Sequence, residues 1–328
     1  MKYASNNSLN ILILVFLAYL ACSLKFINVP QVHEIENLHL ITFNHTPENP
    51  NFGRILPGII YNLLEFIFHR IEISFELTTF PNSKFYSLYE LNRLFIYEYI
   101  IILSYLLIFL NFVKKNITDN YAILLTIYFQ IILIISYSIN KASSIYYFTD
   151  SLNILFTLLI IHSISANNIF NIFLSFFFGY MNKESAAFLS FLSIDFSKKN
   201  IFERFKYFFI VIFTLIISHI ISKGGISNIT ENFSQVRAYK RLDNNILWLS
   251  DNYYIFLFLL SFTPLFFFRI KNIRCFDYKN YILYMIFIMI PILLYTNIFE
   301  LRSFGDIFTY NLLIAYFFFF KKNDIKTC

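Results

Sequence analysis

A chain of 328 residues with 58% hydrophobic and 14% charged side chains, and a mean hydropathy of +0.60, is too poor in charge for a water-soluble globule, since soluble domains average about 25% charged residues. Its net charge of +6 does not point to nucleic acid, because most basic residues adjoin apolar runs, as the positive-inside rule requires. Cys22, Cys275 and Cys328 form neither a disulfide framework nor a metal-ligand spacing.

Apolar runs of about 20 residues are the length of a membrane-spanning helix. In this chain they fall at 9–26, 94–113, 121–139, 151–164, 207–221, 253–268, 281–295 and 304–320. The first reads as a retained helix rather than a signal peptide, because many spans follow it. Between the fourth and fifth lies 169–196, apolar but interrupted by Asn182-Lys183-Glu184. It is one long helix or two short ones meeting at that break, and two short ones keep the alternation of sides consistent. The expected fold is an all-α polytopic membrane protein with about 9–10 membrane helices, forming a single integral membrane domain over 1–328.

Sidedness follows from counting charges. With the N-terminus, Lys114-Lys115, 197–206, 269–279 and the C-terminal tail in the cytoplasm, those segments and their immediate flanks hold 14 of the 26 Lys/Arg but five of the 20 acids. Lys and Arg crowd the short loops where the rule applies, so the inner (cytoplasmic) membrane of a bacterium with both termini inside is the expected setting. The first outer loop, 29–93, contains an apolar run at 55–76 in which Glu65, His69, Glu72 and Glu76 are spaced 4, 3 and 4. On a helix these form a narrow polar stripe flanked by Leu64, Phe68 and Ile71, the pattern of an amphipathic interfacial helix. The second outer loop, 223–251, opens with Gly224-Gly225 and carries Arg237, Lys240 and Arg241, which share a face if helical.

An ionisable residue inside a span costs about 2.5–3.5 kcal/mol on insertion scales and is paired, solvated or functional. Lys183-Glu184 fits the tip of a membrane-embedded hairpin lining a polar cavity, and equally a solvated turn or a buried ion pair. Glu300, Arg302 and Asp306 cluster before the last span, with Arg302 and Asp306 at i,i+4. Asp150 follows Tyr146-Tyr147-Phe148-Thr149 at the mouth of the fourth span, where it can cap the helix, line a site, or both. Glu34 and Glu36, soon after the first span, offer carboxylates for a general base or a divalent cation. Arg54 precedes Ile55-Leu56-Pro57 at a helix start, where backbone dipole and guanidinium together favour an anion. His39, His45 and His69 lack zinc spacing, and the chain has no Walker loop, dinucleotide fingerprint, HExxH or GxSxG elbow.

The ordered set is an acidic pair after the first span, Arg54-Ile55-Leu56-Pro57, Tyr147-Phe148-Thr149-Asp150, Asn182-Lys183-Glu184 and Glu300-Leu301-Arg302. This order resembles polytopic bacterial glycosyltransferases of the GT-C superfamily. The resemblance implies a hexosyltransferase that takes sugar from a polyprenyl-phosphate donor at a site facing away from the cytoplasm. It places the catalytic role on Glu34 or Glu36, where the family often has Asp, with a divalent cation as an optional cofactor and no other cofactor implied. Arg54, Arg237 and Arg302 would bind the donor phosphate, and Asp150, Lys183, Glu184 and Glu300 would line the site. The implied partners are the lipid-linked sugar, the bilayer and a glycan, lipid or protein acceptor, with no nucleic acid. A polysaccharide polymerase or ligase, or a lipid or solute transporter, is the alternative.

Overall fold

A computed structural model describes residues 2–28, 55–71, 88–114, 119–138, 148–195 and 200–223, with short pieces at 243, 247, 282–284 and 286–287. The described residues are all-α, with no β-strand among them. They form α1 (Lys2–Asn28), α2 (Ile55–Ile71), α3 (Leu88–Lys114), α4 (Asp119–Ser138), α5 (Phe148–Ser165), α6 (Ile169–Asn182), a 3₁₀ segment (Glu184–Ser193) and α7 (Ile201–Lys223). Two stretches are long and apolar enough to cross a membrane: Phe95–Lys114 in α3 and Ile201–Ser222 in α7, each with mean hydropathy 2.0. Shorter apolar stretches are Ser8–Leu24, Asn120–Ile134, Ser151–Ser165 and Ile169–Asn182. The chain divides into two compact units, Met1–Leu155 and Phe156–Cys328, the division falling within α5.

In the first unit α1, α3 and α4 pack on one another, and α2 packs on α3. The core is aromatic: Phe109 stacks on Phe129 at 4.4 Å between ring centroids, and Tyr105 meets Phe129 edge-on. Tyr105 also donates its hydroxyl to Gln130 Oε1 at 2.7 Å, so the one amide in that part of the core is met by the one phenol beside it. The helices here bury a mostly apolar face that includes a few polar residues, and they also expose large apolar side chains. In α1 the buried residues include Asn10 while Leu9, Leu12 and Phe16 are exposed, and in α4 Thr126 and Gln130 are buried while Tyr121, Leu124 and Ile131 are exposed. A surface helix of a water-soluble protein turns charged and polar residues outward instead.

The second unit is built on a helical hairpin and a third arm. The α5–α6 connection is a Schellman turn: Asn167 has φ of +52°, its N–H bonds Ile164 O at 3.1 Å, and Asn168 N–H bonds Ser163 O at 3.3 Å. Asn tolerates the left-handed conformation better than most residues. Asn168 then caps α6, its Oδ1 accepting from Asn171 N–H at 3.1 Å. A polar Asn-Asn pair between apolar runs thereby ends one helix and starts the next.

α6 stops at Asn182, because Lys183 is extended (φ −156°, ψ 130°), and the chain returns as ten residues of 3₁₀ helix. Runs of 3₁₀ beyond three or four residues are uncommon. Length accounts for this one: ten residues at about 2.0 Å each cover about 20 Å, matching the roughly 21 Å of the fourteen-residue α6. The close approach of the arms is set at Gly179, where a Cβ would meet Phe156 Cβ and Ala186 Cβ at 3.4 Å and Ile160 Cδ1 at 3.5 Å. Ser175, four residues earlier, meets Ser163 of α5 hydroxyl to hydroxyl at 3.0 Å. Small residues at i and i+4 are what let apolar helices pack closely. The far end of the return arm is held by Tyr284, whose hydroxyl donates to Ile194 O, and by Phe287, stacked on Phe191 at 4.9 Å.

α7 packs along both α6 and the 3₁₀ segment. Between Phe209 and Ser222 its exposed residues are all apolar (Phe209, Phe213, Ile216, Ile220, Ile221), whereas four of the six buried ones are polar (Thr214, Ser218, His219, Ser222). This is the strongest inversion among the described helices.

Candidate functional site

The described residues concentrate buried polarity in two places, one in each unit. In the first unit the site is built on Glu98. It lies ten residues into α3 and is fully buried, 0% exposed, among Phe95, Tyr97 and Ile102. Ser151, also fully buried, donates its hydroxyl to Glu98 Oε2 at 2.7 Å. A hydroxyl-to-carboxylate bond is charge-assisted and stronger than a neutral one. It ties the first turn of α5 to α3 across 53 residues of sequence. Asn153, 2% exposed, adds a second buried polar group on the same turn. Among the residues whose side chains are described, Glu98 is the one buried acid.

Asp150 immediately precedes Ser151. Because α5 begins at Phe148, Asp150 stands inside the first turn rather than at the cap, a position where the helix dipole still favours an acid. The Glu98–Ser151 bond therefore anchors the first turn of α5, next to Phe148, Thr149 and Asp150. Neither Glu98 nor Ser151 drew a role from the sequence, since both lay inside apolar runs. The available signal was an acid five residues into the span at 94–113.

In the second unit a group of buried polar residues lies along α6 and α7. Tyr180 Oη and His219 Nδ1 are 2.7 Å apart. Ser218 donates to Phe177 O at 2.9 Å, and Ser222 Oγ reaches His219 O at 3.3 Å. His219 is buried, Tyr180 and Lys183 are half-buried, and Asn182 is fully buried. Lys183, expected at a hairpin tip, is the single extended residue between α6 and the 3₁₀ segment, and Glu184 opens that segment. Tyr180 and His219 were not singled out by the sequence either.

Glu34, Glu36, Arg54, Arg237, Glu300 and Arg302 lie outside the described residues, as do the side chains of Asp150 and Glu184. The helix expected over 55–76 is seen over Ile55–Ile71, while Glu72 and Glu76 lie outside the described residues. No group of three His, Cys, Asp or Glu able to hold a metal ion occurs among the described residues. In comparisons with known proteins, no family model, curated protein or solved structure matches the chain.

Proposed function

We propose that the chain is a polytopic protein of the inner membrane, and that it transfers a sugar from a polyprenyl-phosphate donor to an acceptor on the non-cytoplasmic side, with inversion. The membrane part of this reading is supported by the large apolar side chains that α1 and α4 expose and by the inverted patterning of α7. Helices that expose Phe and Ile and bury Ser, Thr and His are stable where the surroundings are hydrocarbon. In water the same faces would be an aggregation surface.

The observation that carries the transferase part is the buried Glu98–Ser151 bond. Glu98 stands about 24 Å along α3 from Lys114 at 1.5 Å per residue, on the end the charge count assigns to the outer side. An ionisable group inside a span is a functional-site hypothesis by default. Its role here is positioning: it holds the start of α5, and with it Asp150, at the outer end of the helices. In the reaction, a carboxylate of the first outer loop (Glu34 or Glu36) takes the proton from the acceptor hydroxyl. The hydroxyl oxygen bonds to the anomeric carbon as the bond from that carbon to the phosphate oxygen breaks on the opposite face. The departing phosphate leaves as an anion, so it needs neutralisation by Arg54, Arg237 or Arg302 more than it needs a proton.

The full burial of Glu98 in a membrane-length helix favours a second reading, a solute or lipid transporter, because buried carboxylates also serve ion and proton paths. One experiment separates the two. Purified protein in nanodiscs is given radiolabelled polyprenyl-phosphate hexoses with candidate acceptors, as wild type, Glu98→Gln and a Glu34→Gln/Glu36→Gln double variant. Transfer by wild type that the double variant loses supports the transferase. Binding without transfer, or uptake into proteoliposomes, supports the transporter. A protein that neither binds nor turns over the lipid-linked sugar refutes the transferase.

A further inference from the structure

The return arm Glu184–Ser193 carries a sequence that suits two helices of different length. In a 3₁₀ helix, residues three apart eclipse one another. Ala186, Leu189 and Leu192 thereby form a buried aliphatic row, with Ser190 and Ser193 in a second buried row. Ser185, Phe188 and Phe191 make the third face, which is half-buried. As an α-helix the same chain would gather Ala186, Leu189, Ser190 and Ser193 on one face, at the i, i+3, i+4, i+7 spacing of a packed helix. Of the five residues buried in the arm, Leu192 alone would leave that face, turning about 120° away from Ala186. In hydrocarbon an outward leucine costs little, because lipid tails are as apolar as the side chain. The hydroxyls fit both forms too. Ser193 donates to Ser190 O, three residues back, at 2.5 Å, and in an α-helix Leu189 O, four back, would take its place.

The two forms differ in reach. Ten residues cover about 20 Å as 3₁₀ and about 15 Å as α. The far end of the arm is held in three ways. Tyr284 bonds Ile194 O, Phe287 stacks on Phe191, and Asp195 N–H donates to Arg204 O of α7 at 3.0 Å. Contraction therefore draws in the near end. α6 is fixed at its start by the Asn167-Asn168 turn, so it has to give at its other end. Gly179 stands there, three residues before Asn182, and glycine is the residue at which helices most readily stop. We infer that the α6–3₁₀ hairpin is a strap with two lengths. In the long form α6 runs to Asn182 and the arm is 3₁₀. In the short form the arm is α-helical, α6 ends at Gly179, and the polar tip Asn182-Lys183-Glu184 is withdrawn by about 5 Å. The arm gains hydrogen bonds of better geometry. α6 gives up its last turn, including the bond from Lys183 N–H to Gly179 O and the Tyr180–His219 contact. The inference is independent of sugar transfer, and rests on the membrane part of the reading above only for the low cost of turning Leu192 outward.

The test reads that length. Spin labels are placed at Ser185→Cys, near the tip, and at Phe202→Cys, an exposed position beside the held end. The full chain carries Cys275→Ser and Cys328→Ser, while the buried Cys22 stays out of reach of the label. Pulsed electron–electron distance measurements are made on the protein in nanodiscs. Two distances about 5 Å apart are expected, the longer one dominant in wild type. Leu192→Ala removes bulk that the long form buries and the short form turns outward, so it should raise the ratio of short to long at least about tenfold. Leu192→Met keeps the bulk and should match wild type. Ser193→Ala, which removes the bond to Ser190 O and supplies a better α-former, is a gentler push in the same direction and guards against a Leu192→Ala protein that does not fold. Adding Gly179→Ala should suppress the short form by removing the stop at which α6 would end. The long distance alone in wild type, Leu192→Ala and Ser193→Ala overturns the inference, as does a short population equally raised by Leu192→Met. A short form undiminished by Gly179→Ala overturns the assignment of Gly179 as the stop. Loss of sugar transfer with both distances still present would refute the transferase alone.

Discussion

The apolar stretches of α3 and α7 have the same mean hydropathy, 2.0, and nearly the same length, 20 and 22 residues, yet they bury different things. Half of the apolar window of α3 is buried against a third of that of α7. α3 turns a broad aromatic and aliphatic surface inward, with one carboxylate, Glu98, near its start. α7 turns a row of hydroxyls and one imidazole inward beside Val211 and Leu215, and leaves Phe202, Phe209 and Phe213 exposed. Hydropathy measures whether a helix can cross a membrane. What the helix contributes to the interior depends on which of its few polar residues face the neighbours, and those residues barely move the average.

The comparison can be broken most sharply from the exposed side of α7. Phe213 is 64% exposed and central to the helix. If its surroundings are hydrocarbon, Phe213→Asp should raise the apparent insertion cost of α7 by about 3 kcal/mol, read by glycosylation mapping of an isolated span. Phe202→Asp, in the first turn, should cost much less; equal costs would mean that α7 does not lie across the bilayer.

The buried side of α3 is tested next. Glu98→Ala leaves the Ser151 hydroxyl without its acceptor and opens a cavity, which should destabilise the protein by about 2 kcal/mol in a denaturant titration in detergent. Glu98→Gln keeps a carbonyl oxygen to accept from Ser151 and should be far milder. If Gln and Ala are equally damaging, the negative charge and not the hydrogen bond is what α3 requires.

Gly179 probes the hairpin behind α7. With Phe156 Cβ and Ala186 Cβ already at 3.4 Å from where a Cβ would sit, Gly179→Val should cost on the order of 1–3 kcal/mol through overpacking. Gly179→Ala should be near neutral to mildly unfavourable. The smallest effect is expected at Ser218, where Ser218→Ala removes one hydroxyl bond to Phe177 O and should cost about 1 kcal/mol. A loss as large as that of Glu98→Ala would show that the hydroxyl row of α7 acts as one network.

Much of the helical skeleton was legible from runs of apolar residues. The stretches 94–113, 121–139, 151–164 and 207–221 fall largely within α3, α4, α5 and α7, and the break at Asn182-Lys183-Glu184 coincides with the end of α6. A polar tripeptide between two Phe-rich runs has few other places to go. The turn at Asn167-Asn168 was visible as two adjacent asparagines, though its left-handed residue was not.

The buried partners were hidden for a simple reason. Ser151 is 53 residues from Glu98, and His219 is 39 from Tyr180. No local pattern links residues that far apart in the chain. A single acid near the start of an apolar run also looks the same whether its carboxylate points outward to the interface or inward to a serine.

By itself, then, the order of apolar and polar residues determined that the described residues are helical and roughly where those helices lie and break, because long apolar runs separated by short polar ones favour helices that satisfy their own backbone hydrogen bonds. Which face of each helix turns inward was left to the tertiary structure. Only packing brings the Ser151 hydroxyl within 2.7 Å of Glu98 and Tyr180 within 2.7 Å of His219, and only that meeting makes buried polar residues a site.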